Sequence, residues 1–156
     1  MDVLGWIESW PGAVYLRASP DAYMIVNAVH ILGIALLVGA VLPMDLRLIG
    51  FFPGTPLRVI VPFLSRAAGT GLALAAAAGM WLFSVDPAEY LANPAFRLKL
   101  ALLGTALVLI LVQHRSRGYQ AAIIGLPIQR GVRVVAALSA LVWLAVLLCG
   151  RAIGFL

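Results

Sequence analysis

The chain has 156 residues, 63% of them hydrophobic and 11% charged, and its mean hydropathy is +1.06. Too few polar side chains are present to cover a water-soluble globular domain, so the composition indicates a single integral membrane domain. The net charge of +5 does not imply nucleic acid, because the 11 Lys and Arg fall between or beside apolar runs, where membrane topology accounts for them.

Residues 1–20 do not match a secretory signal, since Asp2 and Glu8 stand where a basic region belongs and no sufficient apolar core follows. They read as an interfacial segment. Val3, Ile7 and Trp10 share one helical face beside Trp6, tryptophan anchors suit the headgroup level, and Pro11-Gly12 ends the pattern.

Ser19-Pro20-Asp21 supplies a helix start, and the uncharged run Ala22 to Met44 is 23 residues long, enough to cross a bilayer at about 1.5 Å per residue. Pro43 marks a kink or stop, so the first span is expected over residues 21–43. A second uncharged run, Ala67 to Val85, entered through Pro62, gives a span over 62–85. Its Gly69, Ala73 and Ala77 recur every fourth residue, as close helix contact in lipid requires, within the chain or with a sister copy or partner subunit. Gly69-Thr70-Gly71 follows no strand and is not a nucleotide fingerprint.

Asp86-Pro87-Ala88-Glu89 is a cap sequence with Pro at the first helical position, and Asn93-Pro94 repeats it, so a short interfacial helix precedes the third span. The uncharged run Leu100 to Gln113 is only 14 residues, so this span takes in flanking polar residues and is placed over 95–114. The fourth covers 132–150, with Arg133 and Arg151 able to snorkel. Short connections then predict an all-α fold: an antiparallel four-helix membrane bundle with short interfacial helices.

Seven basic residues, Arg47, Arg58, Arg66, Arg115, Arg117, Arg130 and Arg133, lie in the loops at one end, against Arg17, Arg97, Lys99 and Arg151 at the other. The positive-inside rule therefore puts both termini outside an inner membrane and the basic loops in the cytoplasm.

The most informative residue is His30, the single ionisable group well inside the first run. Its desolvation must be offset by a partner, a ligand or a task. Tyr23, Asn27 and His30 line one face in the outer half, and Lys99, one turn into the third span, lies at a similar depth. Met80 is a candidate soft ligand near that level. The stripe has three readings: a structural histidine with no cofactor, a tetrapyrrole ligand, or a copper or proton site. Arg66, Thr70, Ala73, Ala77, Met80 and Ser84 form a second stripe along which a cleft is expected. Asp45, Arg47, Arg66 and His114 gather at the cytoplasmic end, where ion pairing with headgroups accounts for them. An axial offset of about 16 Å between His30 and His114 argues against one haem clamped by both. Cys149, the only cysteine, allows no internal disulfide or thiolate cluster.

The order His30-Ile31-Leu32-Gly33, Asp45-Leu46-Arg47-Leu48-Ile49-Gly50 and Asn93-Pro94-Ala95-Phe96-Arg97-Leu98-Lys99, with a histidine ending the third span, resembles a family of short bacterial four-helix membrane proteins known only as a domain of unknown function. More distantly it is similar to the copper-resistance D membrane domain and to the J-type membrane protoporphyrinogen oxidase. The resemblance to the oxidase implies b-type haem, with His30 and Lys99 as the residues that matter. It differs in reading Ala35-Leu36-Leu37-Val38-Gly39 after the histidine. Electron transfer or a porphyrin-related role is the function so implied. Copper or proton handling by a non-catalytic accessory or transport protein is the alternative, a structural membrane subunit a third, and no reaction is identified.

Overall fold

A computed structural model describes residues 3–155; Asp2 lies outside them. Among the described residues there are eight helices and no sheet. Two short helices open the chain, α1 (Val3–Ser9) and α2 (Pro11–Ala18). Four long apolar helices, α3 (Pro20–Ile49), α4 (Leu57–Phe83), α6 (Pro94–Arg115) and α8 (Arg130–Ala152), are each long enough to span a membrane. The short helices α5 (Pro87–Ala92) and α7 (Arg117–Ile123) lie between them.

The capping chemistry acts as the sequence implies. Ser19, Asp86 and Asn93 accept from backbone amides at the starts of α3, α5 and α6, each followed by proline at the first helical position, where a missing N–H matters least. Pro11 likewise starts a second short helix instead of only ending the first.

Two prolines behave differently from expectation. Helix α3 continues through Pro43 to Ile49, and α4 begins at Leu57, so Pro62 is inside it. Each proline removes one interior backbone donor, a defect that membrane helices tolerate where neighbouring groups re-satisfy the freed carbonyl. Helix α3 stops at Gly50, whose φ of 132° suits glycine.

Helix α4 packs on α3, α3 on α8, and α8 on α6, while α4 and α6 scarcely meet. The α3–α4 seam is tight because both helices present glycine: Gly33 and Gly71 are buried against the opposite backbone. The buried small residues of α4 are Gly71, Ala75 and Ala78. Gly69, Ala73 and Ala77, the row expected to make the contact, are exposed, as are Thr70 and Met80. Except for Ser84, which is buried at the end of α4, the expected second stripe therefore faces away from the other helices.

The end bearing the termini is closed by the short helices. Ala13 and Leu16 of α2 are buried, Trp81 Nε1 donates to the Gly12 carbonyl at 3.0 Å, Arg17 donates to the Val85 carbonyl at 2.7 Å, and Trp10 lies against Trp81. Phe83, Tyr90 and Phe96 join α4, α5 and α6 at the same end.

At the opposite, basic end, Arg47 donates to the carbonyls of Thr55 at 2.7 Å and Pro53 at 3.2 Å, fastening the α3–α4 loop. Arg47→Ala is expected to cost about 1 kcal/mol, the usual range for bonds to a charged donor discounted for exposure. The amides of Phe51, Phe52, Gly54 and Thr55 should exchange with solvent faster, and Arg47→Lys should restore only part of the protection; unchanged exchange in Arg47→Ala would show that the loop holds itself.

Candidate functional site

Polar groups occupy the helix bundle in two separate places. At the terminus end, Tyr23, Asn27 and His30 are all half-buried on α3. The His30 ring lies on α4: Nδ1 is 2.8 Å from the Ala75 carbonyl, and a Cβ added at Gly79 would come within 2.8 Å of Cε1. A carbonyl only accepts, so Nδ1 carries the proton and Nε2 carries the lone pair. Small residues on α4 create the berth.

Lys99 reaches toward the same region from α6. Its charge acts on His30, and its stem passes over Gly150 of α8, with Nζ 3.6 Å from where a Cβ there would be. Among the described residues no hydrogen bond or ion pair reaches the ammonium. Tyr23 instead meets the Tyr90 hydroxyl of α5. Burial, with the Tyr23 hydroxyl second, raises the Tyr90 phenol well above its ordinary range. Met80, 68% exposed, is not brought onto His30.

The second place is near the basic end. Asp45 is only 4% exposed and lies in a cavity of about 20 Å³, lined also by Gln113 and His114 of α6, Tyr119 of α7 and Ser139 of α8. The Ser139 hydroxyl is within hydrogen-bonding reach of the Asp45 carboxyl, but Asp45 Oδ2, Gln113 Oε1 and the Tyr119 hydroxyl are buried without a partner among the described residues. Gln113 Nε2 donates to the Val132 carbonyl at 3.2 Å, which fixes the orientation of its amide. His114 Nδ1 bonds the Ile110 carbonyl at 2.9 Å, and its ring is tilted on Tyr119 with centroids 5.1 Å apart. Burial, with the Asp45 charge adding, pushes the Tyr119 phenol up to about 12.

Of the four residues expected to cluster at this end, only Asp45 and His114 share the cavity. Arg47 turns to the loop and Arg66 is exposed. Among the described residues Asp45 makes no ion pair, so its neighbours are not the arginines that adjacency in sequence suggests. Gln113, Tyr119 and Ser139 were not singled out by sequence; the available signals were lone polar residues in apolar runs and a Ser116 cap, which accepts from the Tyr119 amide at 3.4 Å.

Between the two places lies an apolar cluster of Leu37, Val41, Ala106, Trp143 and Val146. The two histidines thus belong to different sites. No protein-family model matches the chain, and comparison with curated proteins and with solved structures finds no match either, so what stands is a four-span, all-helical membrane protein without an assigned family.

Proposed function

We propose that the chain holds a b-type haem in the terminus-end half of the membrane, with His30 Nε2 as its axial ligand, in an electron-transfer or porphyrin-related role. The observation that carries this reading is the Nδ1 bond to the Ala75 carbonyl. A ligating histidine characteristically donates its other nitrogen to a carbonyl or carboxylate, which fixes the tautomer and orients the lone pair. A haem needs only one such protein ligand, whereas a copper site needs several. Among the described residues no three His, Cys, Asp or Glu side chains converge on one point, which favours haem over copper.

One further feature fits the group: Lys99 offers an ammonium that, among the described residues, has no counter-charge, near His30, suited to a propionate. When bound, the haem would supply one-electron iron redox chemistry; His30 would hold it and Lys99 would anchor its acidic edge. By the excess of arginine at the far end, the site belongs to the outer half of an inner membrane, with the basic loops cytoplasmic.

The test is spectroscopic. The full chain, expressed with ample haem supply and purified in mild detergent, should show a Soret band that shifts on dithionite reduction. His30→Ala should lose haem at least tenfold, with partial recovery on adding imidazole, and Lys99→Met should retain the band with affinity lowered by about 10-fold, as for a supporting group. A colourless wild-type preparation, or a band indifferent to His30→Ala, would defeat the reading.

A further inference from the structure

We propose that the cavity around Asp45 is a binding site for one hard monovalent cation, a chemistry that sodium supplies. The site is separate from His30, 15 residues further along α3 and so about 22 Å away, and does not depend on haem binding.

The argument begins with an accounting of polar atoms. Asp45, Gln113, Tyr119 and Ser139 come from α3, α6, α7 and α8, and each is more than nine-tenths buried. Three of their oxygens, Asp45 Oδ2, Gln113 Oε1 and the Tyr119 hydroxyl, have no partner among the described residues. Buried polar atoms are ordinarily satisfied, and three orphans around one void indicate something that belongs in it. The cavity, about 20 Å³, has room for a single water-sized species.

One water would satisfy the geometry alone, donating to Asp45 and Gln113 and accepting from Tyr119. It would leave an ionised Asp45 carboxylate without a counter-charge. Among the described residues no cationic side chain pairs with Asp45: Arg47 is committed to the Thr55 and Pro53 carbonyls, and Arg66, Arg130 and Arg133 are exposed. A bound cation answers the acceptors and the charge together. The ligand set is all oxygen with one carboxylate, which suits a hard ion of single charge and not a transition metal. Gln113 is held as an acceptor by its own bond to Val132, so the amide is set to receive positive charge.

The other titratable groups lining the cavity are His114 from α6 and Tyr119 from α7, and α8 contributes only the Ser139 hydroxyl. The test uses the full chain in lipid nanodiscs. Thermal unfolding is followed while sodium chloride replaces choline chloride at fixed ionic strength, and separately across neutral pH, for wild type, Asp45→Asn, Gln113→Leu, and each of these in a His114→Gln background.

A sodium site gives a saturable rise in Tm of about 5 °C at concentrations far above its dissociation constant, lost in Asp45→Asn and weakened in Gln113→Leu. A protonated Asp45 beside a structural water gives no sodium effect, and that result overturns the proposal. The native state then holds a proton that the unfolded chain releases, so wild-type stability falls with rising pH relative to Asp45→Asn. Asn is isosteric and neutral, so that variant should fold at least as well as wild type. If wild type and Asp45→Asn respond alike to both sodium and pH, the cavity holds only a structural water and the proposal is wrong.

Discussion

Gly33→Ala is expected to destabilise the bundle by about 3 kcal/mol, at the upper end of the overpacking range, and Gly33→Leu to leave most of the chain misassembled. A Cβ on Gly33 would stand 2.5 Å from the Ala75 amide nitrogen, 2.9 Å from its Cα and 2.9 Å from the Gly71 carbonyl oxygen. The reciprocal Cβ on Gly71 would stand 2.5 Å from the Leu37 nitrogen and 2.7 Å from the Gly33 oxygen. All of these are backbone atoms, so no rotamer change relieves the contact and α3 must move away from α4.

That movement also has a local reading. The Ala75 carbonyl that holds His30 belongs to the same residue whose amide and Cα the new methyl would strike. Gly33→Ala should therefore disturb the His30 environment as well as lower stability. The control is Gly39→Ala: nothing lies within 4 Å of a Cβ there, and alanine's better helix propensity should make it neutral or stabilising by up to about 1 kcal/mol. Unfolding titrations in mixed micelles compare the two directly. Equal stability in Gly33→Ala and Gly39→Ala would mean that the helices do not meet at Gly33.

Why the contacting face of α4 was not legible in the sequence follows from the same residues. Nearly every position from Gly69 to Gly79 is small, so a four-residue spacing can be drawn along several faces, and small size alone cannot choose among them. The choice is made from α3, by Gly33 and by a histidine that requires an acceptor. By contrast, the four spans were legible because each is an apolar run, and the starts of α3 and α6 because a Ser or Asn followed by proline encodes them locally, whereas α4 begins at Leu57 without such a signal.

Asp45 shows the opposite limit. Read beside Arg47 it looks like half of an interfacial ion pair, which presumes that the helix has ended. Because α3 runs on to Ile49, residues two apart lie on nearly opposite sides of the helix. Asp45 turns inward to the cavity and Arg47 outward to the loop. The partners of Asp45 come from three later elements with no common period, and only tertiary packing unites them. His30 was legible because an ionisable group deep in an apolar run is conspicuous wherever its partners lie.

Trp143→Ala is expected to have a comparable effect on stability, and the pair Trp143→Ala and Trp143→Phe separates its causes. Trp143 is 0% exposed and packs with Leu37 and Val41 of α3 and Ala106 of α6, so one side chain joins three of the four long helices. Its indole Nε1 is buried without an acceptor among the described residues. In lipid the solvent outside the bundle is itself apolar, so packing contacts and not water exclusion hold such a residue in place. Truncation to alanine opens a void and should cost about 3 kcal/mol, the lower end of the range for buried tryptophan. Phenylalanine gives up part of the packing but removes a donor whose burial costs about 1–3 kcal/mol, so Trp143→Phe should stay within about 1 kcal/mol of wild type. Both variants are read by the same micellar unfolding titration. Should Trp143→Phe prove as damaging as Trp143→Ala, the indole N–H must have an acceptor, and Trp143 would have to be counted among the polar groups of the bundle instead of its apolar divider.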